Sequence, residues 1–364
     1  MSELNNIITN PKVTVVLLAY NQNKFITEAV KALFAQTYQP LELILSDDCS
    51  ADETFETINK LVDLYSGPHQ IKINRNIVNC GTVPAHLNNI SHLVSGEWVV
   101  LAAGDDISEP QRVQSLINTA LMKNGCTLAY SARSVIDEHS KILINKVDVK
   151  RRDKLDAPTL TLGGTNILGA VLAFHRSAWI YFGNMPPHIR SEDKILAFRS
   201  LLLGSSVYVD EPLVRYRRHS MNMTESEKHK TKTSLSLKNY MASQVAKYQE
   251  QLAYFLAFEV DLKFFLERQV SPKASKIQLL QELQWAIVSR KNYIKYLKAS
   301  SSEKIKNFLK IRSFFPILKV EKNRTIIIFS AIPLLGKIVN GSIFIIEKTM
   351  IVIRQTLTKI LQKN

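Results

Sequence analysis

Three pairs of acidic residues stand where a strand should end or a helix begin: Asp47-Asp48, Asp105-Asp106 and Glu192-Asp193. The first pair closes the apolar run Leu41–Ser46 and the second closes Trp98–Gly104, runs with the length and composition of buried parallel strands. In an open parallel sheet, ligands bind beyond the carboxyl ends of the strands. Two acidic pairs delivered to that edge repel one another unless a cation or a hydrogen-bonding ligand lies between them, the arrangement a metal-bound nucleotide diphosphate requires. Either pair alone would serve equally well as a helix cap, since Asp is a favoured N-cap residue; the joint pattern points to chemistry.

The elements that must hold these pairs can be read from the apolar spacing. Val13–Ala19 is β-branched at its start and apolar throughout, a central first strand. The polar turn Tyr20–Asn23 leads into a helix with Ile26, Val30, Leu33 and Phe34 at helical spacing, and Pro40 resets the chain into the second strand. After Asp48, Ser50 or Asp52 caps a helix carrying Phe55, Ile58, Val62 and Tyr65, which Gly67-Pro68 stops; Ile71–Ile73 is a short third strand. A further helix around Ala85–Val94 precedes the Trp98 strand, Pro110 opens the next helix, and Cys126–Val149 reads as a strand followed by a hairpin. Glu192-Asp193 opens a helix carrying Ile195, Leu196, Phe198, Leu202 and Leu203, with carboxylates in the first turn complementing its dipole, and Ser206–Val209 is a last strand. Strand and helix alternate at βαβ spacing, which predicts an α/β fold with a mostly parallel sheet flanked by helices. Beyond about Thr224 the pattern changes to long helices, with Glu225–Ser236 as a linker, so the domains expected are 1–225 and a basic helical region, 226–364.

Charge follows the same division. Of 364 residues, 46% are hydrophobic and 22% charged, ordinary for a globular protein, and the net charge is +15. Residues 1–225 carry 22 Lys/Arg against 23 Asp/Glu, while residues 226–364 carry 25 against 9. A near-neutral half joined to a strongly basic one predicts a tail that meets an anionic surface. Cys49, Cys80 and Cys126 show no C-x-x-C spacing, which fits a reducing cytosol and offers neither a disulfide framework nor a zinc site. The N-terminus, Met1–Asn6, lacks the basic region and apolar stretch of a secretory signal.

Taken in order, the segments from Val13 to Thr224 resemble the family 2 glycosyltransferases of the GT-A fold. Val13–Asn21 is similar to that family's first strand and Tyr-Asn turn. Leu41–Thr54, with Asp47-Asp48-Cys49-Ser50, resembles the strand ending in Asp-Asp-Gly-Ser, with Cys49 standing where Gly is usual. Leu101–Asp106 resembles the D-x-D position in a Gly-Asp-Asp form, with Ala103 replacing an acidic residue of many relatives. Ser191-Glu192-Asp193 matches the Glu-Asp motif, and Tyr216-Arg217-Arg218-His219 the Tyr-Arg-x-His segment; the Gln-x-x-Arg-Trp motif of processive members is absent, which implies one sugar per encounter.

The resemblance implies an inverting transfer from a nucleotide-diphospho-sugar, with UDP as the nucleotide expected, to a hydroxyl of a glycan or lipid-linked glycan in cell-surface polysaccharide synthesis. It assigns Asp48 to the imide N–H of the base, with Asp47 and Arg75 beside it. Asp106 and His219 would hold Mn²⁺ or Mg²⁺, with Asp105 contacting the ribose or the metal's surroundings and Arg217 clamping the diphosphate. Asp193 would be the catalytic base, its pKa adjusted by Glu192. Helix capping and surface basicity are the bland readings of the same residues.

Ser301–Arg324 interleaves basic and apolar residues as interfacial helices do, and Lys337 and Pro333 interrupt the apolar runs that follow, which fall short of about 18 residues. The expectation is a protein peripheral on the cytosolic face of an anionic membrane; nothing in the tail reads nucleic-acid bases. A catalytically decayed sugar-nucleotide-binding or scaffold protein is the alternative, motivated by Cys49 and Ala103.

Overall fold

The computed structural model describes residues 10–149, 155–161, 167–220 and 237–298. The chain divides into two compact units, residues 1–290 and 291–364, and the architecture below is that of the first. The linker and the tail segment from Ser301 onward, on which the membrane expectation falls, lie outside the described residues.

The first half is a run of parallel strands joined by helices. β1 (Val13–Ala19), α1 (Ile26–Phe34), β2 (Leu41–Asp47), α2 (Thr54–Asp63), β3 (Gln70–Arg75), α3 (Val83–Ile90) and β4 (Trp98–Ala103) follow one another as the βαβ spacing predicts. The strands line up in the order β3-β2-β1-β4, all parallel. β1 and β2 are apolar on both faces because helices cover both. Thr14 and Glu42, side by side on the two strands, satisfy each other: buried Glu42 accepts from Thr14 Oγ1 and Ser95 Oγ (both 2.8 Å) and pairs with Lys72 at 2.8 Å. Burial raises its pKa, but those donors outweigh it and hold the carboxyl at about 2.

The second half is mixed. β5 (Ile107–Ser108), α4 (Arg112–Leu121), β6 (Cys126–Ile136), β7 (Ile142–Val147) and α5 (Ala157–Thr161) come first; β8 (Leu172–His175), α6 (Ser177–Phe182), α7 (Asp193–Leu203) and β9 (Ser205–Arg217) follow. The sheet continues β4-β8-β6-β9-β5, with β7 paired to β6. β8 runs antiparallel to both neighbours, whereas β6 and β9 are parallel. β9 extends well past Val209, through Pro212, because register shifts against β6 absorb the interruption.

α7 is buried almost all round, the signature of a helix enclosed between layers. The sheet covers one side. α8 (Leu237–Glu267) covers another through Tyr254, Phe255, Phe258 and Leu262, and α9 (Ala274–Lys298) adds Leu279, Leu283 and Ile287 to the same core. Phe198 of α7 and Phe258 of α8 stack with ring centroids 4.5 Å apart. Beside them Arg199 meets Asp261 through two bonds of 2.8 and 3.1 Å, and its remaining donors reach Gly183 O and Asn184 O, so the buried guanidinium is fully engaged. Removing one partner of such a pair strands the other charge, so Asp261→Ala should lower unfolding stability by about 3–5 kcal/mol, measured by urea denaturation. A loss under about 1 kcal/mol would show that the pair is solvated and the helices are held otherwise.

Candidate active site

The carboxyl ends of β2 and β3 carry the first acidic pair. Asp47 is wholly buried and builds the turn that follows it, accepting from Ser50 Oγ at 2.5 Å and Ser50 N at 2.9 Å. That turn gives Cys49 a φ of +62°, a left-handed backbone which explains why Gly is at home there and shows that Cys is tolerated. Asp48 points the other way, to the 76–80 loop, where Asn76 Nδ2 (2.6 Å), Asn79 Nδ2 (3.0 Å) and Cys80 N (3.0 Å) converge on its carboxylate. Arg75 lies over the Phe55 ring at 4.7 Å and bonds Glu56 and Ser50 O, half-exposed at this edge. The Tyr20-Asn21 turn is laced to the same loop by Asn21 N to Ser50 Oγ and Ala51 N to Asn21 Oδ1, each 2.8 Å.

The second pair follows β4. Gly104 is required by close approach, since a Cβ there would fall 2.3 Å from Gln22 Oε1. The turn then splits the pair. Asp105 Oδ2 meets His219 Nε2 at 3.0 Å, and the His219 ring lies 4.6 Å from that of Phe25. Asp106 turns inward, its Oδ1 accepting from Arg217 N at 2.9 Å. Burial, reinforced by the charge of Asp105, pushes the Asp106 carboxyl well above the usual range. It is therefore Asp105, rather than Asp106, that the fold brings to His219. Arg217, expected at the diphosphate, is itself buried: it bonds Asp105 O (2.8 Å), Glu28 (2.6 Å) and Ser140 Oγ (2.9 Å) and so braces this turn from behind.

The third pair opens α7 as expected. Glu192 rests against Gly169, where a Cβ would lie only 1.8 Å from Glu192 Oε1. Burial and then the neighbouring Asp193 push the Glu192 carboxyl up to about 8. Burial also raises Asp193, but Ser191 Oγ at 2.9 Å and Lys194 N at 2.7 Å oppose the rise. Burial thus raises both carboxyls, and the donors to Asp193 favour its charged form more than anything favours that of Glu192. Behind Ser191 stands Tyr254 of α8, its hydroxyl 2.8 Å from Ser191 Oγ. Because Ser191 donates to Asp193, Tyr254 donates to Ser191. Tyr254 is not legible as a site residue, since no spacing links it to a motif 63 positions away.

Asp105 and His219 offer one carboxylate and one imidazole, a donor set suited to a divalent cation whose remaining ligands come from phosphate and water. Among the described residues no group of three or more His, Cys, Asp or Glu forms a closed cage, so the ligand must complete the shell.

Glu192 carries the pH signature of this site. Its folded pKa lies above the ordinary 4.5, so the stability it contributes is complete below that value and is lost as pH rises through about 8. Urea midpoints should therefore fall between about pH 5 and pH 8 in the wild type and fall less in Glu192→Gln; parallel curves would disprove the buried, protonated glutamate.

Comparison with known proteins bears on the whole arrangement. Residues 14–168 match the model of glycosyl transferase family 2. EpsE of Bacillus subtilis is 31% identical over 109 residues, 30% of this chain and 38% of that protein. An uncharacterized glycosyltransferase of Rickettsia prowazekii is 25% identical over 293 residues, 79% of this chain and 83% of the relative. Among solved structures, Staphylococcus aureus TarS 1–349 in complex with UDP-GlcNAc superimposes with a TM-score of 0.56 at 16% identity, covering 80% of this chain and 77% of TarS 1–349. At that identity the likeness is one of fold.

Proposed function

This chain belongs to glycosyl transferase family 2, and on that footing we propose that it moves a sugar from a UDP-sugar to a glycan hydroxyl with inversion, in the building of a cell-surface polysaccharide. The contact that carries this reading is Asp105 with His219 at the carboxyl edge of the sheet, between the Asp48 loop and α7. A nucleotide laid across β1–β3 has Asp48 and Arg75 at its base end, and the UDP-GlcNAc bound by the TarS fold relative supports uracil there. Mn²⁺ or Mg²⁺ held by Asp105 and His219 would offset the charge growing on the departing diphosphate.

The chain's own residues do the rest. Asp193, held by Ser191 and the Lys194 amide, takes the proton of the acceptor hydroxyl as that oxygen attacks the anomeric carbon from the face opposite the diphosphate. The bond from that carbon to the diphosphate oxygen breaks, and its electron pair leaves with the nucleotide. Protonated Glu192 adds no second negative charge beside the base. The departures at Cys49 and Ala103 leave both the nucleotide-side turn and the Asp105–His219 contact in place, which favours a working site over a decayed one.

Calorimetric titration of UDP with and without Mn²⁺ tests the donor site. Metal-dependent binding in the wild type, lost in Asp105→Ala, is the expected outcome; metal-independent or absent binding overturns it. In a transfer assay Asp193→Asn should lower the rate by about 10²–10⁴-fold with UDP affinity kept, and full transfer by that variant removes Asp193 as base.

The basic region, 226–364, we assign to an anionic membrane surface on its charge alone. Among the described residues no helix is long and apolar enough to cross a membrane. Full-length protein should sediment with vesicles containing phosphatidylserine and be released by salt; equal binding to neutral vesicles would discard the electrostatic attachment.

A further inference from the structure

Among the described arginines of residues 1–290, Arg133 and Arg290 have neither a side-chain hydrogen bond nor an ion pair, and Arg290 lies away from the acidic pairs on α9, against the Tyr248 and Phe255 rings. Arg112 bonds Leu101 O, Ala170 O and Ser108 Oγ; Arg215 pairs with Glu109; Arg217 and Arg199 have the partners described above. Arg133 of β6 is half-buried, its Nε is enclosed without an acceptor, and among the described residues no carboxylate pairs with it. An enclosed N–H without an acceptor is unfavourable, and an anion reaching the half-open side of this guanidinium would supply one.

We propose that Arg133 receives a phosphate group carried by the acceptor, beside the hydroxyl that Asp193 deprotonates; this rests on the glycosyltransferase reading above. Its position argues for the acceptor rather than the donor. The residues assigned to the nucleotide and its metal end β2, β3 and β4, on one half of the sheet. Arg133 lies on the other half, two strands beyond β4, the half against which α7 packs through β6, β8 and β9. The antiparallel pairing of Tyr130 with Leu172 carries β6 on past the Gly169–Val171 turn, against which Glu192 rests. The guanidinium lies 5.7 Å from the Tyr216 ring, within electrostatic reach of Asp106 and Arg218. It is thus on the base's side of the metal pair.

Its chemistry selects the ligand. A guanidinium offers only donors in a planar fork, which matches the oxygens of a phosphate and suits a neutral sugar poorly, because sugar hydroxyls need acceptors too. The charge of Arg218 nearby makes the seat more cationic and is relieved by an anion. An acceptor built on phosphodiesters, or a glycan on a lipid phosphate, provides the same group.

Glycerol 3-phosphate is the probe, titrated calorimetrically into full-length protein already saturated with UDP and Mn²⁺, so that the donor's own phosphate sites are filled. Binding to the wild type should weaken about tenfold in Arg133→Gln and less in Arg133→Lys, which keeps the charge but not the fork. UDP, titrated separately, should bind all three proteins alike. Unchanged glycerol 3-phosphate affinity in Arg133→Gln, or no binding to the wild type, overturns the proposal. So does a parallel loss of UDP affinity, which would give the guanidinium to the donor diphosphate. Protein that binds glycerol 3-phosphate through Arg133 but never binds UDP contradicts the donor assignment and leaves the anion seat standing.

Discussion

Burying a carboxylate costs several kcal/mol unless donors surround it, and one edge of this sheet buries six: Asp47, Asp48, Asp105, Asp106, Glu192 and Asp193. The fold meets that constraint by giving the members of each pair different surroundings. Asp47 closes its own turn while Asp48 gathers the 76–80 loop; Asp106 accepts from the β9 backbone while Asp105 faces His219; Glu192 keeps its proton while Asp193 is stabilised as an anion. In the second and third pairs, neighbouring carboxyls are thereby given different environments.

The same constraint explains the arginines. Arg217 sits at the centre of the second pair's support, joining Asp105 O to Glu28 of α1 and Ser140 of the β6–β7 hairpin. It fastens the Asp105-Asp106 turn to elements from distant parts of the chain. Arg112 does likewise below Asp106, tying β4 to the Gly169 turn through Leu101 O and Ala170 O, and burial lowers its pKa to about 10.

Much of this was legible in the sequence. The parallel half is, because strands buried on both faces read as unbroken apolar runs and the acidic pairs mark where those runs stop. The split within each pair is not. Whether Asp105 or Asp106 faces His219 depends on the backbone of a two-residue turn, and spacing carries no information about it. Arg217 looked like a diphosphate clamp because Arg beside His suggests phosphate; only the pairing of Ile136 with Arg217 reveals that it reaches behind the turn. The antiparallel entry of β8 was hidden as well, since a four-residue strand has no periodicity to read.

The Glu192-Asp193 pair is tied to α8 through contacts that keep one order along two helices. Ser191 meets Tyr254, Phe198 meets Phe258, and Arg199 meets Asp261. Rising numbers on both sides mean that α7 and α8 run parallel where they touch, and Tyr254 and Asp261, two helical turns apart, share one face of α8. A shift of α8 along its axis would therefore break the ion pair and withdraw the tyrosine from the base's support together. The stretch matched by the family model ends at residue 168, before Gly169, Glu192, Asp193 and His219.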